Sequence, residues 1–406
     1  MNKFSFLAFA LGLIVFPCRS ETGDVSTDTR PNGDDLKFTT VIDLKTTPVK
    51  NQASTGTCWS FATTSFIESE LLRMGKGEFD LSEMFIVRYN YIDRLKDNYL
   101  RRGNGNTGEG GNSHDWMRVF SECGIVPEDV YTGINYDSPL HNHSELQAFL
   151  KAVADVAIKQ KKESDQYNEI VNAVLDAYLG KVPESFFYKG VTYTPGSFAA
   201  SLGINPDDYI EITSFTHFPF YSQGVLEIPD NWAMASFYNV PLNDLIEIID
   251  YSLSNGFTVN WDGDTSEKGF LFSNGYAIIP ADDKNQQRNK TADNGVINAE
   301  AVIDQDTRQK GYMNFTTTDD HGMHITGMVK DQNGTKFYKT KNSWGSDRNS
   351  YGGYLNMSES YVRGKTLFIM VNKNGIPPAI RTKLGVSLSC GRAVVRSCGR
   401  ARGMDR

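Results

Sequence analysis

Residues 49–72 read VKNQASTGTCWSFATTSFIESELL. A single cysteine, Cys58, follows a run of small and polar residues and stands directly before a tryptophan. The apolar side chains after it, Phe61, Ala62, Phe66, Leu71 and Leu72, approximate helical spacing, and Gly75 and Gly77 supply a stop. The spacing therefore predicts a helix that begins at Cys58. A thiol in the first turn of a helix meets unpaired N–H groups and the positive end of the helix dipole, both of which favour thiolate. A sulfur nucleophile also needs an imidazole beside it. His114, the nearest histidine along the chain, falls in a glycine-rich loop.

A better source lies far downstream, in DDHGMHITGMV at residues 319–329, followed by KNSWG at 341–345. On a strand, His321, Met323 and Ile325 share one face and His324 points to the other, so only one of the two histidines can face a given cleft. An asparagine whose amide oxygen accepts the ring N–H would fix tautomer and orientation, and Asn342 qualifies. Trp344 could shield that hydrogen bond from water. Gln52, six residues before Cys58, could join the Cys58 backbone N–H in donating to an oxyanion. A metal site built from Asp319, Asp320, His321 and His324 is disfavoured because a strand splits those ligands between faces.

The rest of the chain supports a mixed fold. Its 406 residues suffice for one large domain or two lobes sharing a core. The five cysteines, Cys18, Cys58, Cys123, Cys390 and Cys398, show no paired spacing and suggest neither a disulfide framework nor a cysteine-rich metal site. A net charge of −8 argues against nucleic acid as a partner. LSEMFIVRYNYIDRL reads as a second helix, and GNGNTGEGGNSHDW as a glycine-rich loop. From Ser144, Leu146, Phe149, Leu150, Val153, Val156 and Ala157 form a helical stripe opened by a capping box of Ser144 with Gln147. A second stripe runs from Tyr167 to Leu179. After the helix Leu242 to Leu253, strands joined by glycine turns take over, with Asn333-Gly334 as a hairpin signal.

The motifs VKNQASTGTCWSFA, Asp320-His321 and KNSWG, in that order, resemble the papain-like cysteine peptidases. The resemblance implies Cys58 as nucleophile, His321 as acid and base, Asn342 as its orienting partner and Gln52 as oxyanion donor. It also implies that Gly110 and Gly111 run beside the substrate backbone, with Asp320 and Trp344 as further substrate contacts. Within that family the chain looks like the bleomycin hydrolase and aminopeptidase C branch from about residue 45 to about 380. The long gap between Gly111 and His321 leaves room for an extra helical subdomain, and CGIVPEDVY, TYTPGSFAASLGI and VPLNDLIEIIDYSLSNG are similar to that branch.

The fold so implied is α+β and two-lobed: a helical lobe and an antiparallel, barrel-like β lobe with an inserted helical subdomain. The divisions are a signal peptide at 1–20, a flexible leader at 21–44, the nucleophile lobe at 45–139, the insertion at 140–235, the β-rich lobe at 236–376 and a tail at 377–406. Residues 1–20 carry an apolar run from Phe6 to Phe16, too short to span a bilayer, which points to cleavage near Ser20 and a periplasmic or secreted protein. A lipid anchor at Cys18 is the alternative, against which stand the bulky Val15, Phe16 and Pro17.

The expected activity is a cysteine aminopeptidase acting on short peptides through a thioester, with no metal or organic cofactor and no membrane span. Resemblance further implies a homo-hexamer. Two other readings stay open: a cysteine amidase acting on a non-peptide amide, and a catalytically silent peptide-binding envelope protein. The basic tail departs from the branch, since it lacks the ending that in aminopeptidase C proteins reaches into the cleft.

Overall fold

The structure, a computed structural model, describes residues 36–281 and 300–388. The signal segment with Cys18, and Cys390 and Cys398, lie outside the described residues.

Helix α1 (Cys58–Arg73) is the axis of the molecule, and almost every side chain from Trp59 to Leu71 is buried. Around it pack α2 (Glu83–Leu100) and α3 (Ser113–Cys123). Helices α4 (Ser144–Gln160) and α5 (Asp165–Leu179) then close over α2. Leu146, Leu150 and Ala157 of α4 and Tyr167, Val171, Leu175 and Leu179 of α5 share one apolar core with α1 to α3. Full burial of one such aliphatic or aromatic side chain stabilises by about 1.5–3 kcal/mol, so this seam holds the insertion on the body. The stripe is narrower than the spacing predicts, because Phe149, Val156 and Ile170 are exposed. The expected capping box is also absent: His143 is the N-cap of α4, and Ser144 instead bonds through N and Oγ to the side chain of Asn142.

The second lobe is one eleven-stranded sheet, which corrects the barrel-like expectation: it is open, and two of its pairings are parallel. Its strands are β1 (Thr39–Asp43), β4 (Tyr209–Thr213), β5 (Gln223–Val225), β6 (Ser236–Asn239), β7 (Val259–Gly263), β8 (Phe270–Leu271), β9 (Tyr276–Ala277), β10 (His321–Lys330), β11 (Lys336–Lys341), β12 (Tyr354–Ser358) and β13 (Thr366–Asn372). The order is β5-β6-β4-β13-β7-β10-β11-β12-β9-β8, with β1 also on β10. A small hairpin of β2 (Phe186–Tyr188) and β3 (Val191–Tyr193) stands apart and is followed by α6 (Pro195–Leu202).

Two segments read as something else thus belong to this sheet. The leader, expected to be flexible to residue 44, contributes β1, and the segment expected to be a helical insertion contributes β4 and β5. Short strands of this kind carry little periodicity, and their partners are remote in sequence. The Asn333-Gly334 hairpin forms, but only Gly334 takes positive φ, at 84°, and Asp331 ties the turn by accepting from the Asn333 and Thr335 N–H groups.

Helix α7 (Leu242–Ser254) and the late helix Pro378–Lys383 cover one face of the sheet, burying Ile380 and Leu384 with Ile249 and Leu253. The described part of the tail is therefore tied to α7. On the other face α1 lies along β10.

Candidate active site

The cleft forms where the first turn of α1 meets the start of β10. A side chain at Gly322 would place its first carbon 3.3 Å from the Cα of Trp59, and the Gly322 backbone N–H donates to the Cys58 sulfur. The residue next to His321 therefore touches the thiol itself. Gln52, Cys58, Gly110, His321 and Trp344 line one open cleft of about 720 Å³.

His321 Nε2 lies 2.7 Å from Asn342 Oδ1. An amide oxygen only accepts, so Nε2 carries the proton and Nδ1 is left with the free lone pair. The Trp344 indole lies against the imidazole with ring centroids 4.8 Å apart. Asn342 is itself held by its backbone N–H on Gly353 O and by the Ser343 N–H on its own Oδ1.

Gln52 reaches the same place because residues 50–52 run antiparallel to 343–345. Gln52 N donates to Ser343 O, Gly345 N donates to Lys50 O, and Asn51 bridges to Trp344. The Gln52 Oε1 accepts from Ser343 Oγ at 2.6 Å and its Nε2 donates to Thr55 O at 2.8 Å. Nε2 has a second N–H, and Gln52 lines the cleft with Cys58, whose backbone N–H lies in a helical first turn and has no intrahelical acceptor.

The electrostatics depart from the simple helix-mouth expectation. Burial pushes the Cys58 thiol up to about 12; nearby Asp262, Asp230 and Asp319 add to the shift, and the Gly322 hydrogen bond opposes it. Burial likewise pushes His321 down to about 4, against the opposing pull of Asn342 and Asp320. The resting pair is thus a neutral thiol beside a neutral imidazole. A helix end contributes only about 0.3–2 kcal/mol, less than desolvation takes away.

The remaining expected residues divide. Gly110 lines the cleft, whereas Gly111 is buried beneath it, where a Cβ would come within 2.9 Å of the Trp59 indole. Trp59 Nε1 donates to Glu109 O, and Glu109 accepts the Gly56 N–H, so the glycine loop and the turn before Cys58 are fastened together. Asp320 lines the cleft and accepts from the Thr265 and Ser266 N–H groups. Burial works against its charge, but hydrogen bonds from Asp264, Ser266 and Thr318 outweigh it and hold Asp320 below the usual carboxylate range.

His324 points away, fully buried, with Nδ1 on Ser65 Oγ. His114, expected in a glycine-rich loop, lies in the first turn of α3 and is ion-paired with Glu211 at 2.8 Å; burial opposes its charge, yet Glu211 and Asp115 raise it to about 9. Asp319, Asp320, His321 and His324 each turn to a different neighbour, and no metal-holding cluster occurs among the described residues. Sequence reasoning passed over Asp230 and Asp262, and named Asp319 only as a metal ligand. Asp262 could have been found by alternation, since it pairs with Gly322 on the α1 side of the sheet.

With this geometry in view, the comparisons are specific. Residues 39–203 match the profile described as papain family cysteine protease. That match, together with relatives named as a cysteine proteinase and as aminopeptidases, supports a cysteine-type hydrolase. Cysteine proteinase 1, mitochondrial, of Saccharomyces cerevisiae (strain JAY291) is 23% identical over 391 residues, which span 86% of this chain and 80% of the relative. Aminopeptidase G of Lactobacillus delbrueckii subsp. lactis is 22% identical over 384 residues, 82% of each. Among solved structures, PepW from Lactobacillus rhamnosis superposes with a TM-score of 0.64 at 18% identity, covering 86% of this chain and 84% of that one.

Proposed function

We propose that this peptidase is an aminopeptidase that removes residues from the free N-termini of short peptides, with Cys58 as nucleophile. The observation that carries the reading is that Cys58 and His321 line one cleft, with His321 Nε2 on Asn342 Oδ1 and its Nδ1 left free. The names of Aminopeptidase G and Aminopeptidase W, each similar over more than four fifths of this chain, support the exopeptidase part.

In this mechanism the proton leaves Sγ for Nδ1 of His321 as the sulfur attacks the scissile carbonyl. Asn342 keeps the ring in the tautomer that can receive it. Gln52 and the Cys58 N–H hold the oxyanion, each such donor being worth about 10²–10³ in rate. His321 then protonates the leaving amine, and afterwards takes a proton from the water that cleaves the thioester.

Cys58→Ala tests the assignment: amide hydrolysis should vanish while the melting transition persists. Residual turnover above a few per cent of the parent would refute it. Two further parts belong to the proposal. Residues 1–20 support export, tested by the N-terminal sequence of the mature protein. Exposed Phe149, Val156 and Ile170 on α4 and α5 fit burial in a homo-hexamer, tested by light scattering.

A further inference from the structure

Beside Cys58 three carboxyl groups converge, none of them in an ion pair among the described residues. Asp230 lines the cleft, and its Oδ2 lies 1.8 Å from where a Cβ on Gly110 would be, so it rests directly on the glycine at that wall. Its backbone N–H donates to Asp319 Oδ2 at 3.1 Å. Asp319 is in turn hydrogen-bonded to Asp262, two carboxyl groups that can bond only by sharing a proton. Asp262 is 5% exposed, and its Oδ1 is buried with no hydrogen-bond partner. Asp230 lines the same cleft as Cys58, and Asp262 pairs across the ladder with Gly322, whose Cβ position abuts the first turn of α1.

The neighbouring charges offset this group only in part. Glu211 is paired with His114, and Asp115 with Arg118. Arg94 attracts Asp230 from behind but forms no ion pair with it among the described residues. The loop that presents Asp230 is fixed beforehand: Asn106 holds Pro229 O, Asn231 bonds to Leu226 O and Ala235 O, and Trp232 Nε1 donates to Asp115. The arrangement is thus a preorganised acidic pocket in which Asp319 and Asp262 share a proton and one buried acceptor is unfilled.

Resting on the aminopeptidase reading, we propose that Asp230, with Asp319 and Asp262 beneath it, receives the α-ammonium of the substrate's first residue. The reach is right in kind, since an α-nitrogen lies only about 2.5 Å from the carbonyl carbon that the sulfur attacks. Asp230 also occupies the position beside Gly110 along which an upstream residue would run. The same carboxylate therefore both recognises the free end and blocks a longer chain. In this protein the exopeptidase limit comes from an internal loop, while the described part of the tail packs against α7 and contributes nothing to the cleft.

The test compares four coumarin amides: leucyl, 4-methylpentanoyl (leucyl without its amine), acetyl-leucyl and acetyl-lysyl-leucyl. The unmodified enzyme should favour leucyl over 4-methylpentanoyl by 100-fold or more in kcat/KM. Asp230→Asn and Asp319→Asn should each cut that preference at least tenfold. A strong preference that both variants retain overturns the pocket but leaves the aminopeptidase reading intact. No preference in the unmodified enzyme overturns that reading itself. Faster cleavage of acetyl-lysyl-leucyl than of leucyl assigns the pocket to a side-chain ammonium and overturns the proposal. Should the variants not fold, L-leucinol must inhibit the unmodified enzyme at least tenfold better than 4-methyl-1-pentanol; equal inhibition overturns it.

Discussion

Asn342 Oδ1 accepts two hydrogen bonds at 2.7 Å, one from His321 Nε2 and one from its neighbour's backbone at Ser343. One amide oxygen thereby joins the imidazole to the loop that also carries Gln52 through Ser343 Oγ. The orientation of the base and of the oxyanion donor is a single mechanical fact.

Asn342→Ala should lower kcat by about 10- to 100-fold with a smaller change in KM, because an unheld ring spends time in the wrong tautomer and rotamer. Steady-state kinetics on a leucyl coumarin amide decide it. A loss confined to KM would mean that Asn342 acts on binding alone.

His321, with its acid form disfavoured by burial down to about 4, is a neutral base over most of the pH range. The acid limb of kcat/KM should fall near pH 4, well below the ordinary imidazole value of about 6.5. A midpoint at the ordinary value would show that the ring is solvated in the working enzyme.

Alkylation of Cys58 by iodoacetamide reports the thiolate directly. Burial is the largest cause of the thiol's rise to about 12, Asp262, Asp230 and Asp319 add to it by repulsion, the Gly322 N–H opposes it, and His321 shares the cleft. Taking one negative charge away with Asp230→Asn lowers the thiol's pKa, so alkylation at pH 8 should quicken by about 2- to 10-fold, one unit being a factor of ten in thiolate. Unchanged or slower alkylation would contradict the repulsion.

Stability should fall between pH 7 and pH 9. Burial, and then repulsion from Glu83, raises Glu128 to about 9, and Glu211 raises His114 to about 9 despite burial. The unfolded chain loses these protons near 4.5 and 6.5, the folded one near 9, so the folded state holds the extra protons at pH 7. The stabilisation from His114 is complete below 6.5 and is lost as pH rises through 9. The penalty on Glu128 grows over the same interval. Thermal melts at pH 7 and 9 measure the slope, which His114→Gln should flatten.

Much of this was legible in the sequence because the information is local. The helix starting at Cys58, the strand alternation that sends His321 and His324 to opposite faces, and the Asn-Gly turn follow from spacing within about fifteen residues. The order of Gln52, Cys58, His321 and Asn342 was enough to indicate the chemistry. By contrast, β1, β4 and β5 are short, and each becomes a strand only because a distant partner offers a ladder. The open sheet in place of a barrel follows from those partners.

What the sequence determined, then, is which residue types are present and which face of its own element each occupies, since backbone periodicity fixes these within one segment. Only the tertiary structure decided which charges share a cavity. Asp230, Asp262 and Asp319 come from a loop, a strand interior and a strand approach far apart in the chain, and each alone reads as an ordinary aspartate. Their effect on Cys58 arises from desolvation and mutual repulsion at close range, quantities that depend on distance in space and have no counterpart in distance along the chain.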